Sequence, residues 1–149
     1  MAPLTTEVEF DELNKISLTR VGGRLVDESL AALYDVCQKN SNDTNASVSI
    51  VDLSSLSECA LSYQFIQRLA ERKPTKADGK RRCFLVAPAA HVYGLCRMFQ
   101  LLGEVTRPLL EVVHTLGEAF AAIAIHAAQF EPTSAPAPFK GLSAVSPTV

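Results

Sequence analysis

The residues best suited to chemistry in this chain lie between positions 47 and 69, SVSIVDLSSLSECALSYQFIQRL. One acid, Asp52, is followed at short spacing by the hydroxyls of Ser54, Ser55, Ser57 and Ser62. Asp52 has the chemistry of a general base or a phosphoacceptor, and a serine near a helix start is a candidate phosphorylation site. Proton-transfer work requires a neighbour that tunes the carboxylate, and no second carboxylate, His or Lys stands near Asp52 in sequence. An Asp ending a buried strand more commonly holds the following turn through its side chain, and that reading is favoured. For Ser62 the corresponding reading is a helix cap or a solvent-facing hydroxyl. The chain offers no nucleophile paired with a base and no phosphate-binding glycine loop, so no catalytic residue is assigned and no cofactor is expected.

A second group of candidates sits on one helical stretch. Tyr93, Arg97, Gln100 and Glu104 share a stripe opposite its core face, with Arg97 placed to meet Glu104 or an anion. Gly94, Met98 and Leu101 form a further stripe that the core need not use. An apolar stripe beside a Tyr and an Arg has the composition of an interface centre, so Tyr93, Gly94, Arg97, Met98 and Leu101 are candidates for a partner or homodimer contact. Packing against a neighbouring loop is an equal alternative.

The elements that must position these groups alternate. Lys15 to Val21 alternates polar and apolar residues as a half-buried strand does, and Gly22-Gly23 is expected to break it. Asp27 is then placed to cap a helix carrying Leu30, Leu33, Tyr34 and Cys37 to about Lys39, followed by a solvent loop from Asn40 to Asn45. Val48 to Val51 is an apolar run ending at Asp52, expected as a strand covered on both faces. An acidic, serine-rich turn should follow, and then a helix with Phe65, Ile66 and Leu69 inward, ending before Pro74.

Cys83 to Ala87 reads as a third strand, and Val92, Leu95, Cys96, Phe99 and Leu102 as the core stripe of a helix ending near Gly103. Leu109 to Val113 is a fourth strand. Thr115 and Glu118 fit a capping box for a last helix with Phe120, Ile123 and Ala127 inward. A strand at Val8-Glu9-Phe10 is expected to pair antiparallel with the first through a turn at Glu12-Leu13-Asn14. The expected fold is therefore α/β, a four- to five-stranded, mostly parallel sheet with about four helices. Residues 1–129 are expected to form a single domain and 130–149 a Pro/Ser/Ala-rich flexible tail. Ligands in such folds collect at the carboxyl ends of the strands, here Asp52 to Ser55, Pro88 to His91 and His114-Thr115.

Bulk properties narrow the classes. A chain of 149 residues can bury a self-sufficient core, and 48% hydrophobic with 20% charged residues is ordinary for a soluble protein. A net charge of −2 argues against nucleic acid as a partner. Arg72 to Arg82 holds six basic residues against one acid, suited to an anionic lipid surface or a phosphorylated partner but more simply a solvated loop. Cys37, Cys59, Cys83 and Cys96 show no C-x-x-C spacing, and His91, His114 and His126 are not spaced as ligands, so the thiols are expected to be structural and no metal is expected. With no apolar run near about 18 residues and an acidic start unlike a signal peptide, the expected location is cytoplasmic.

These residues carry a resemblance. The order of elements, and Val51-Asp52-Leu53-Ser54-Ser55-Leu56-Ser57 after the second strand, resemble the STAS domain of bacterial anti-sigma-factor antagonists. A nearer likeness is to uncharacterised bacterial proteins grouped as STAS-like, for which a relation to the CRAL–TRIO lipid-binding fold has been suggested. It runs through Gly23-Arg24-Leu25-Val26-Asp27-Glu28, Val51-Asp52-Leu53, Val86-Ala87-Pro88 and Tyr93-Gly94-Leu95-Cys96-Arg97-Met98-Phe99, and covers about Phe10 to Ala127.

In the antagonists a partner kinase phosphorylates a Ser in an Asp-Ser-Ser-Gly turn at the start of the second helix. Laid from Asp52-Leu53-Ser54, the resemblance puts the switch at Ser62, with Ala60, Leu61 and Tyr63 replacing the Asp, the first Ser and the Gly. It implies a non-enzymatic regulatory module that binds a protein partner through Asp52, Ser54, Ser55, Ser57 and Ser62. The alternative it implies is a carrier or sensor of a small apolar or anionic, lipid-like ligand, in a pocket lined by the third helix and the strand ends.

Overall fold

The computed structural model describes residues 3–72 and 81–130, with the side chains of 41–42 and 124–130 outside that description. Nine elements follow in the order β1 (Thr5–Asp11), β2 (Ile16–Val26), α1 (Asp27–Asp43), β3 (Val48–Ala60), α2 (Tyr63–Ala70), β4 (Arg82–Val86), α3 (Ala90–Leu102), β5 (Leu110–Val113) and α4 (Leu116–Phe130). The sheet order is the chain order, β1 to β5. β1 pairs antiparallel with β2, and β2 to β5 are parallel throughout.

That order decides where the helices go. Parallel strands added successively in one direction, each through a right-handed crossover, put every crossover helix on the same face. Accordingly, Leu33 of α1 and Val92 and Cys96 of α3 pack with Val21, Leu25, Val51 and Leu53 on one side. The other face carries Ile16, Leu18, Val48, Ile50, Phe84 and Val86, against which α4 sets Ala119 and Ile123. The sheet is thus buried on both sides, which is why residues 48–51 of β3 and 83–86 of β4 are almost wholly apolar.

The expected β1–β2 hairpin is present, with Asn14 donating to the Asp11 carboxylate from both its backbone N–H (3.1 Å) and its side-chain amide (3.0 Å). The Thr115–Glu118 capping box is also present: Glu118 N–H donates to Thr115 Oγ1 at 3.1 Å and Thr115 N–H to Glu118 Oε1 at 3.2 Å. Of the α4 core positions, Ile123 is buried and Phe120 partly so; the Ala127 side chain and residues 131–149 of the expected tail lie outside the described residues.

Three expectations are corrected. Gly22-Gly23 does not end β2, which runs on to Val26 beside β3. Gly23 takes φ +85, and a Cβ there would sit 2.0 Å from the Pro3 carbonyl oxygen. The pair therefore lets the strand bend past the incoming chain rather than stop. Helix α1 continues beyond Lys39 to Asp43, so the polar run begins as helix; Asn40 anchors it by donating to Ser17 Oγ at 2.7 Å. The serine-rich segment after Asp52 is not a turn but the second half of β3, paired in parallel with Gly22–Val26.

Candidate functional site

β4 pairs with β3 only from Val48 to Asp52. Beyond Asp52, among the described residues, β3 pairs only with β2, as a two-stranded ribbon projecting from the sheet. Its register shifts between Arg20 and Gly22 and again between Gly23 and Arg24, and each time β3 inserts an extra residue. Bulges of this kind increase twist and re-aim side chains. Ser54, Ser55 and Ser57 are exposed along the ribbon, while Leu56 and Cys59 turn toward the α1/α3 core. Arg24 of β2 and Glu58 of β3 bridge it at 3.2 Å.

Asp52 closes the buried part of β3. It is 6% exposed, and one oxygen, Oδ1, accepts from Ser54 N–H (3.0 Å) and Ser54 O–H (2.6 Å). A carboxylate holding its own downstream backbone and hydroxyl is a local clasp. It positions the start of the ribbon.

Ser62 caps α2: its hydroxyl accepts from Phe65 N–H at 3.1 Å. The same hydroxyl donates to Asp27 Oδ2 at 2.8 Å, and Ser62 N–H donates to Asp27 Oδ1 at 2.9 Å. Asp27 was expected to cap α1. Instead α1 begins after Val26, whose N–H is taken by Ser29 Oγ at 2.9 Å, and the Asp27 carboxylate is spent on Ser62. The beginnings of α1 and α2 are thereby tied together by a two-bonded carboxylate, a stronger link than a neutral pair makes.

On α3, Tyr93 does not lie on a solvated stripe. It is half-buried and stacks on His114 with ring centroids 4.0 Å apart and planes within 6°. Arg97 meets Gln100 rather than Glu104, and Gln100 in turn donates to the Leu110 carbonyl at 2.8 Å. Gly94 is exposed, with nothing within 4 Å of the position a Cβ would take. Leu101 is 57% exposed and Met98 half-buried. Tyr93 and Gln100 are therefore committed inward, and Gly94, Arg97 and Leu101 face out.

The basic segment is described only at its two ends. Arg72 pairs with Asp35 at 3.1 Å and lies over the Tyr34 ring; Arg81 donates to the Ala46 carbonyl at 2.7 Å; Arg82 holds Glu111 at 2.9 and 3.1 Å. Positions 73–80 lie outside the described residues. No group of three or more His, Cys, Asp or Glu side chains able to hold a metal occurs among the described residues. No helix among them is long and apolar enough to cross a membrane.

The resemblance implies a pocket lined by the third helix, and α3 does line one; the role of Arg107 at its end escapes the sequence. A cavity of about 170 Å³ lies between the sheet and α1, α2 and α3. All four cysteines line it, and burial pushes the Cys37 thiol up to about 11, against a hydrogen bond with Thr19 that pulls the other way. Cys96 is pushed up to about 12 by burial and by the nearby Cys59. Its polar residues gather at the amino ends of the strands, not the carboxyl ends where a ligand was expected: Ser49, Arg81, Arg107, Tyr34 and Gln38. Arg107, in the α3–β5 connection, is 7% exposed. It donates to the Ala70 carbonyl (3.0 Å), the Arg72 carbonyl (3.2 Å) and the Tyr34 hydroxyl (2.8 Å). Nothing in its sequence setting, between Thr106 and Pro108, announces this role.

No family model and no curated protein matches the chain. Among solved structures, an anti-sigma factor antagonist from Mycobacterium paratuberculosis is similar at TM-score 0.51 and 23% identity, over 81% of this chain and 94% of that one. The anti-sigma factor antagonist SpoIIAA in its unphosphorylated form is similar at TM-score 0.50 and 17% identity, over 80% of this chain and 96% of that one. With its mixed five-stranded sheet and four helices, the chain has the fold of these anti-sigma factor antagonist structures, the SpoIIAA-like fold.

Proposed function

We propose that this chain is a non-enzymatic regulatory module that binds a protein partner through the β3 ribbon and the start of α2. The observation that carries the reading is the ribbon itself. A strand that leaves its sheet with one edge unpaired among the described residues, and that presents Ser54, Ser55 and Ser57 to solvent, is a surface built for contact rather than for packing. The antagonist fold supports the same reading, since the similar structures are named for acting on another protein's regulator.

Serine phosphorylation is the regulation that fits this surface. A phosphate on Ser62 would gain from the α2 N-terminus, but it would also place about −2 of charge against the Asp27 carboxylate that now accepts the Ser62 proton. The tie between α1 and α2 would then break, and the switch would act by releasing the helix start. A second contact surface, the outward Gly94, Arg97 and Leu101 with Met98 beside them, fits a homodimer. Affinity capture from the source cells at micromolar bait tests the central reading: one protein recovered in stoichiometric amount supports it, and a bait that recovers no protein above a scrambled-surface control overturns it.

A further inference from the structure

The cavity behind the sheet has the chemistry of a binding site. Its wall is almost wholly aliphatic side chains and thiols from β2 to β4 and from α1 to α3, and neither Asp nor Glu lines it. The raised Cys37 and Cys96 thiols stay protonated at neutral pH, so they act as apolar wall rather than as nucleophiles. In size it exceeds the roughly 150 Å³ apolar cavity that holds a benzene-sized guest.

One end of this apolar space is cationic. Arg107 is more than nine-tenths buried; its hydrogen-bond partners are two backbone carbonyls, the Tyr34 hydroxyl and, at 3.4 Å, Thr106 Oγ1, and its guanidinium also lies near the Phe99 and Tyr34 rings, at 5.2 and 5.8 Å from their centroids. All of these are neutral, and among the described residues no carboxylate pairs with it. A guanidinium keeps its charge at any physiological pH, and a buried charge without a counter-ion is costly. Tyr34 accepts from Arg107, which leaves its own proton to donate to an anion, and both side chains line the cavity.

We propose that the cavity binds a small apolar monocarboxylate. Its body of about six to eight carbons would lie against Leu33, Val51, Leu53 and Val92, with its carboxylate beside Arg107 and Tyr34. Of the two arginines lining this end only Arg107 is buried, so one buried positive charge is matched by one negative charge, and the cavity volume limits how much of an acyl chain is enclosed.

An NMR titration of the full chain with octanoate, with octanol as the neutral control, tests this. Octanoate should produce saturable shifts at Leu33, Val51 and Cys96 at millimolar concentration and bind at least about tenfold tighter than octanol. Affinity should rise about fourfold per methylene from pentanoate upward until the cavity is full. Tyr34→Phe should weaken octanoate about tenfold and leave octanol unchanged. Cys37→Phe, confirmed folded by its spectrum, should abolish both; should it not fold, Tyr34→Phe carries the test alone. Absence of saturable shifts, equal affinity for octanol and octanoate, or undiminished octanoate binding by Tyr34→Phe or by folded Cys37→Phe overturns the proposal.

Discussion

At the scale of single residues, the account turns on Asp27 and Ser62. Ser62→Ala removes a helix cap and strips Asp27 of a bonded hydroxyl, so it should cost about 1–2 kcal/mol in urea unfolding. The double variant with Asp27→Ala should cost less than the two singles combined, by about 1 kcal/mol, because each single already breaks the shared contact. Asp is ordinarily as good a cap as Ser. Here Ser62→Asp should be worse than Ser62→Ala, since it sets a second carboxylate against Asp27, and Asp27→Asn should reverse that order.

The buried thiols give a pH prediction of definite sign. Cys37 is held near 11 in the folded chain against an ordinary thiol value near 9, so above about pH 9 the unfolded chain loses a proton that the folded chain keeps. The associated stability is intact below that point and is lost as pH rises toward 11, by up to about 1.4 kcal/mol per pH unit. Parent protein should therefore lose more stability between pH 8 and pH 10 than Cys37→Ala does, read from urea midpoints. An identical pH slope in both would contradict the burial argument.

At the scale of elements, two glycines make opposite predictions. Gly23 sits at φ +85 with the Pro3 carbonyl where a Cβ would go, so Gly23→Ala should destabilise by at least about 2 kcal/mol and raise amide exchange along β1. Gly94 lies in the exposed middle of α3 with open space around it, so Gly94→Ala should stabilise by about 0.5–1 kcal/mol in the same assay.

The two sites also mark what the sequence makes legible. Period-2 and period-3.6 patterns place the apolar halves of β2, β3 and β4, the α3 core face from Val92 to Phe99 and that of α4, because there burial dictates residue type; Leu102, expected on the α3 core stripe, is 49% exposed. The second half of β3 hides because Ser-Ser-Leu-Ser-Glu has little strand propensity and the two bulges set its inward residues Leu53, Leu56 and Cys59 three apart rather than two. Its conformation comes from pairing with Gly22–Val26, a partner outside any local window. Asp27 follows the same rule. Its side chain answers to Ser62, 35 positions away, while its neighbours describe only an ordinary helix start.

At the scale of the whole molecule, the one-directional sheet separates two ends. The carboxyl end carries the ribbon and Ser62, and the amino end carries Arg107 and the polar end of the cavity. Helix α2 spans them, capped by Ser62 at its start and held by Arg107 at the Ala70 carbonyl. The cluster of serines at the carboxyl end is legible from residue types alone. The cavity enters only through the resemblance, not through residue types, because it exists only where three helices fail to fill the space over one sheet face. If the outer face of α3 joins two copies, light scattering should give twice the chain mass for the parent and a monomer for Met98→Glu; a parent that is a strict monomer contradicts the homodimer.

The most direct measurement is comparative capture with surface variants, quantified by mass spectrometry. The partner recovered by the parent chain should be lost when Ser55→Arg and Ser57→Arg are introduced together on the exposed ribbon, with the fold confirmed by circular dichroism. It should be retained when Val105→Glu is placed on the distant α3–β5 connection, where Val105 is 90% exposed. Equal recovery by the ribbon variant and the parent would contradict the assignment of this surface as the contact.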